Sequence, residues 1–196
     1  MNNEQYSLVE TRILQRLDQE LSLNLHYHGY EHTLDVLNAA LIIAKAENVN
    51  EEELKLIRIA ACFHDSGFLY VYQNHEVKSC ELAKDYMLEL GFRTKDIDLV
   101  CGMVMATKIP QSPNNLLECI IADADLDYLG RDDVFEVADK LKRELKHYFN
   151  LNDDKIWNEK QVEFLTSHHY HTEFSKKNRN PKKLKYLTEI KNKLNP

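Results

Sequence analysis

Between its few chain breakers this sequence repeats one spacing almost without interruption. Apolar residues recur three and four positions apart in nearly every segment, and only 5 glycines and 4 prolines divide 196 residues. This is the period of a helix face and not the alternation of a strand, so the expected fold class is all-α. The length suits one substantial core, and a single domain over residues 1–196 is expected.

The first stripe is Tyr6, Val9, Ile13, Leu17 and Leu21, with charged residues opposite, which describes a helix on the surface. A mostly buried helix is expected over about Thr33 to Glu47. Asn50 then stands three residues before Glu53, the pattern of a capping box. The helix it starts contains "LIRIAACF", residues 56–63, which is apolar nearly all round and so should be buried on several sides. It runs into His64 and Asp65, and Gly67 is the expected left-handed stop. A helix from Asn74 to Gly91 should face Val77, Ala83, Tyr86, Met87 and Leu90 inward. Another follows Thr94 to about Thr107, and "KIPQSPNN" is a loop. The apolar run Leu116 to Gly130 reads as one helix. Further helices are expected over Val134 to Phe149, from Asp154 to about His171, and from Asn180 onward, where "NP" marks a start.

Composition narrows the function classes. A formal net charge of -7 argues against a nucleic acid polymer as partner, since phosphate-backbone binding needs a clustered basic surface. Cys62, Cys80, Cys101 and Cys119 sit in apolar-periodic segments without close pairing and read as reduced core residues. There is neither a signal-like N-terminus nor an apolar run of about 18 residues, so no membrane partner and a cytoplasmic location are expected.

Against this apolar pattern, His32, the pair His64 and Asp65, and Asp125 intrude into three segments that should each be buried. A lone buried histidine usually just hydrogen-bonds a carbonyl. Several buried ionisable groups with few basic residues nearby are a different matter, because an unpaired buried carboxylate is very costly. One divalent cation would satisfy them together, and imidazole with carboxylate suits Zn, Mn, Fe, Co, Ni or Mg. Neighbours on a helix point about 100° apart, so His64 and Asp65 can share an ion best where the helix ends. In "YHGYEHT" His28 and His32 lie four apart, on one face if helical. Asp123 and Asp125 are about 200° apart and cannot play one role.

The ordered set "HGYEH", "FHDSG" and "IIADADLDYLG" resembles the HD superfamily of metal-dependent phosphohydrolases, over roughly residues 24 to 135, with 136–196 as a helical extension. The resemblance implies an HD-like helical bundle with the metal site between central helices. It implies His32, His64, Asp65 and Asp125 as metal ligands, with Asp123 the rival for the last place. "YHGYEHT" is also similar to a stretch of the cyclic-nucleotide phosphodiesterases in which the first histidine donates a proton. By that likeness His28 is the catalytic acid and Asp65 orients water, although Gly29 stands where those enzymes carry asparagine. His75 falls where many family members place a polar residue beside the metal. Lys108 is the basic residue best placed in sequence for a substrate phosphate.

Binuclear members carry further histidines where this chain reads "CGMVMATKIP", so one metal is expected, with any second ion held more weakly. The implied function is hydrolysis of a small phosphorylated substrate, with a nucleotide as the expected class and a homo-oligomer allowed. The alternatives are a non-catalytic regulatory module and an iron oxygenase of the same fold. Three features carry no such expectation: the basic run Lys176, Lys177 and Arg179, the pair His168 and His171, and the stripe Val137, Leu141, Leu145 and Tyr148, read as core or interface.

Overall fold

A computed structural model describes residues 3–194, and among them the chain is all-helical, with no strand. The surface stripe becomes α1 (Asn3–Glu20), seated by Tyr6, Val9, Ile13 and Leu17. The second helix, α2 (Tyr30–Ala46), begins three residues before the expected Thr33, with Gly29 as its N-cap. This brings His32 into its first turn. The third, α3 (Glu51–Phe63), has the full capping box, Asn50 Oδ1 accepting the Glu53 amide at 3.0 Å. Ile57, Ile59, Cys62 and Phe63 are completely buried, and each such large side chain stabilises the fold by roughly 1.5–3 kcal/mol.

Gly67 does not end α3 in a left-handed conformation. It lies inside a 3-10 turn, Ser66–Leu69, and the left-handed residues among those described are Asn48, Asn74, Gly91 and Asn150. Glycine is needed at 67 for space: a Cβ there would stand 2.0 Å from the carbonyl oxygen of His75. The Gly67 amide also donates to Ser79 Oγ at 2.8 Å. The start of the next helix, α4 (His75–Glu89), is thereby pressed against the end of α3. Val77 on α4 is 46% exposed and not inward-facing. The first turn of α4 directs His75 and Ser79 into the protein, and at about 100° per residue that leaves Val77 on the far side.

Next come α5 (Thr94–Met105) and α6 (Leu116–Asp125). The apolar pattern that predicts one helix to Gly130 covers two elements, because α6 stops at Asp125 and a 3-10 turn takes Asp127–Gly130. Spacing of three suits both geometries. Beyond lie α7 (Val134–Phe149), α8 (Asp154–Ser167), a short α9 (Glu173–Asn178) and α10 (Asn180–Leu194). The end of α8 falls short of the expected His171, since His168 is already extended. All four cysteines are free; Cys80 and Cys101 each turn the thiol to the other's carbonyl oxygen, at 3.5 and 3.7 Å, tying α4 to α5. Among the described residues no helix is long and apolar enough to cross a membrane.

Two hydrophobic clusters form. One draws on α1 to α6; the other joins Tyr27, Leu126 and Leu129 to Val134, Trp157, Leu165, Tyr186 and Ile190. The intruding polar residues lie where the two meet.

Candidate metal centre and its cavity

Four side chains from three helix ends converge. His64 caps α3 with helical backbone, and at Asp65 the chain leaves helical geometry (φ −107°, ψ 6°), which lets the neighbours face one point. His32 comes from the first turn of α2 and Asp125 is the last residue of α6. His32 Nε2 lies 3.1 Å from Asp125 Oδ1 and 3.4 Å from His64 Nε2. Asp65 Oδ2 stands 3.2 Å from His64 Nε2 and 3.6 Å from His32 Nε2. His32, His64 and Asp125 form a group able to hold a metal ion.

The donor set fits a divalent cation. His64 Nδ1 donates to the Ala61 carbonyl at 2.8 Å, so its Nε2 lone pair points inward at the other imidazole. Asp65 Oδ2 is buried and receives no hydrogen bond. Two imidazole nitrogens and two carboxylates turned on one another call for positive charge. Burial works to raise the Asp125 carboxyl, but His32 and His64 outweigh it and hold it at about 2. Burial likewise opposes Asp65, and His64, His75 and His28 hold it well below the carboxylate range. Against its own burial, His64 is lifted well above the usual imidazole value by Asp65 and Asp125. A proton or a metal ion answers the same electrostatic demand.

Around this centre, Phe68 is stacked between two histidines, its ring centroid 4.4 Å from His28 and 4.0 Å from His75. His75 gives Nδ1–H to the Tyr72 carbonyl at 3.2 Å and sets Nε2 3.3 Å from Asp65 Oδ1. Its burial disfavours the charged form, yet Asp65 prevails and raises its pKa. Asp65 therefore presents one oxygen to each side. Glu76 is 7% exposed, with Oε1 3.6 Å from His75 Nε2 and Oε2 buried without a partner.

His28 is held by a residue the sequence pattern did not single out. Glu144 of α7 is fully buried; its Oε1 takes the His28 Nδ1 side and the Tyr72 hydroxyl at 2.7 Å, while Oε2 accepts the amides of Tyr27 and His28 at 2.8 and 3.0 Å. Burial pushes the Glu144 carboxyl up, but His28 and Tyr72 outweigh it and hold it below the ordinary range. The signal was a glutamate on the apolar face, beside Leu141 and Leu145.

Asp123 faces away from the centre. Its carboxylate accepts the amides of His171 and Thr172, both at 2.8 Å, and the Thr172 hydroxyl at 2.6 Å. Lys108 is placed on Asn74 Oδ1 at 3.2 Å, beside His75 and outside the lining of the cavity described next. Two members of the basic run are engaged in ion pairs, Lys176 with Glu173 and Arg179 with Asp127. Among the described residues His168 and His171 join no group of metal-binding side chains.

The centre opens into a cavity of about 460 Å³, whose lining includes His28, Asp65, His75 and Asp125. The stripe read as core or interface supplies part of its wall through Leu141 and Leu145.

A model of the HD domain matches residues 29–127 of the chain. No curated protein matches it. Among solved structures, the crystal structure of Bacillus subtilis YpgQ in complex with ADP is similar with a TM-score of 0.62; the match covers 97% of this chain and 95% of that one at 19% identity, a likeness of fold.

Proposed function

From the chain's membership of the HD-domain family, we propose that it is a metal-dependent phosphohydrolase acting on a small organic phosphate, with a nucleotide as the first class to test, since the YpgQ structure holds ADP. The observation that carries this reading is the convergence of His32 Nε2, His64 Nε2, Asp65 Oδ2 and Asp125 Oδ1 beside a cavity large enough for such a substrate.

These four residues would hold one divalent ion, whose chemistry is polarisation of phosphoryl oxygens and activation of water. Asp65 takes the position that orients water, its carboxylate fixed by His75 through Oδ1. His28, with Nδ1 engaged by Glu144, keeps Nε2 as the nitrogen that gives a proton to the leaving oxygen. His75, at the cavity wall, contacts the substrate phosphate, and Lys108 serves only at the rim. Any second, weaker ion would fall beside Asp65, near His75 and Glu76. The chain acts as one unit, because Glu144 and half of the cavity wall come from beyond the matched segment.

The test is phosphate release from a panel of nucleotides and simple phosphoesters with Mn, Mg, Zn, Co, Ni and Fe each added in turn, for wild type and Asp65→Asn. Turnover confined to wild type supports the hydrolase. Nucleotide binding with no product under any metal overturns it in favour of a regulatory module.

A further inference from the structure

The cavity wall has two unlike parts. Beside the histidines and carboxylates, much of it is made by Leu129, Leu141, Leu145, Trp157, Phe164 and Leu165. Two polar side chains of the lining are already engaged within the protein. Gln161 accepts the Tyr186 hydroxyl through Oε1 and gives its amide to Asn158 Oδ1 at 3.2 Å. Thr107 Oγ1 donates to the Val104 carbonyl at 2.8 Å. Among the described residues, the one lysine or arginine in the lining is Lys160, which is itself exposed. The whole cavity, about 460 Å³, falls in the size range of small-molecule sites, which are lined mostly by apolar side chains.

A ribose or polyol placed against these apolar side chains would surrender hydrogen bonds to water for few replacements, whereas a ring or branched alkyl group loses nothing polar. We infer that this chamber is a substrate subsite for an apolar organic group, aryl or branched alkyl, carried on the phosphate and recognised by burial and aromatic contact. The inference rests on the hydrolase reading only for which part receives the phosphate. Within that reading it ranks aryl phosphates ahead of sugar phosphates.

Trp157 is the only tryptophan in the sequence and lies in the chamber wall, so its fluorescence reports occupancy without any turnover. The full chain, with Mn added, is titrated with benzylphosphonate and with methylphosphonate, neither of which can be hydrolysed. Benzylphosphonate should shift Trp157 emission and bind at least about tenfold more tightly. In Leu141→Asn, a half-buried wall position, that ratio should fall toward one. Leu145→Asn repeats the test if Leu141→Asn loses its helical circular dichroism. Equal affinities in wild type, or a ratio unmoved by both variants, overturn the inference. Phosphate release from phenyl phosphate separates the two readings: the predicted binding without release retains the chamber and sinks the hydrolase, and release with no aryl preference does the reverse.

Discussion

Glu144 and His28 stand 116 residues apart in sequence and share one contact through Nδ1 of the imidazole. The same carboxylate accepts the backbone amides of Tyr27 and His28, so the ring and the chain that carries it are fixed together. Orientation of this kind is what a proton donor needs.

Glu144→Gln keeps the shape and removes the charge. Steady-state kinetics should show kcat lower by about 10² with KM little changed, since the contribution of a positioned acid is 10²–10⁴. An unaltered kcat would remove Glu144 from the function.

The same carboxyl sets an acid limit on stability. Its folded pKa is depressed below the unfolded value of about 4.3, so its contribution is fully present above that value and is lost as pH falls through the folded pKa. The drop in urea midpoint from pH 7 to about pH 3 should be smaller in Glu144→Gln than in wild type. Identical drops would contradict the shift.

Asp123 and Asp125 separate structure from metal binding. Asp125→Asn should weaken metal by more than about 100-fold, because even outer partners of a ligand cost 10–100-fold. It should also abolish the stabilisation of about 2.7 kcal/mol that a metal at a hundred times its Kd confers. Asp123→Asn should instead cost about 1–3 kcal/mol by loosening the segment at His171 and Thr172, with metal affinity kept. Calorimetric titration and thermal melts read both; metal lost in Asp123→Asn would reverse the assignment.

Gly67→Ala puts a methyl group 2.0 Å from the His75 carbonyl oxygen. The backbone of α4 must move, at a cost of about 1–3 kcal/mol or more. Activity should fall further than stability alone explains, because His75 travels with it. Wild-type melting and turnover would contradict the close approach.

The converging side chains are legible because each breaks a strong local pattern: His32, His64, Asp65 and Asp125 interrupt apolar helices, and the period that exposes them also places them in the fold. Glu144 broke a pattern too, but amphipathic helices often carry a stray acid, and its partner is distant in sequence. Gly67 was visible as a glycine, while the reason for it sits eight residues later in His75 and exists only after folding. Val77 was misjudged because its helix turns toward the cavity, and the end of α6 because a 3-10 turn sustains the same apolar spacing.

The meeting of two hydrophobic clusters has a consequence for how such a protein changes over time. The converging histidines and carboxylates sit mainly on α2, α3 and α6, and the apolar wall mainly on α7 and α8. If the reading proposed above holds, clientele and chemistry are inherited on different stretches of chain. A substitution at Leu141 or Phe164 would then redirect which molecule is admitted while the metal-site residues are left alone, and Glu144 is the thread that ties the two halves together.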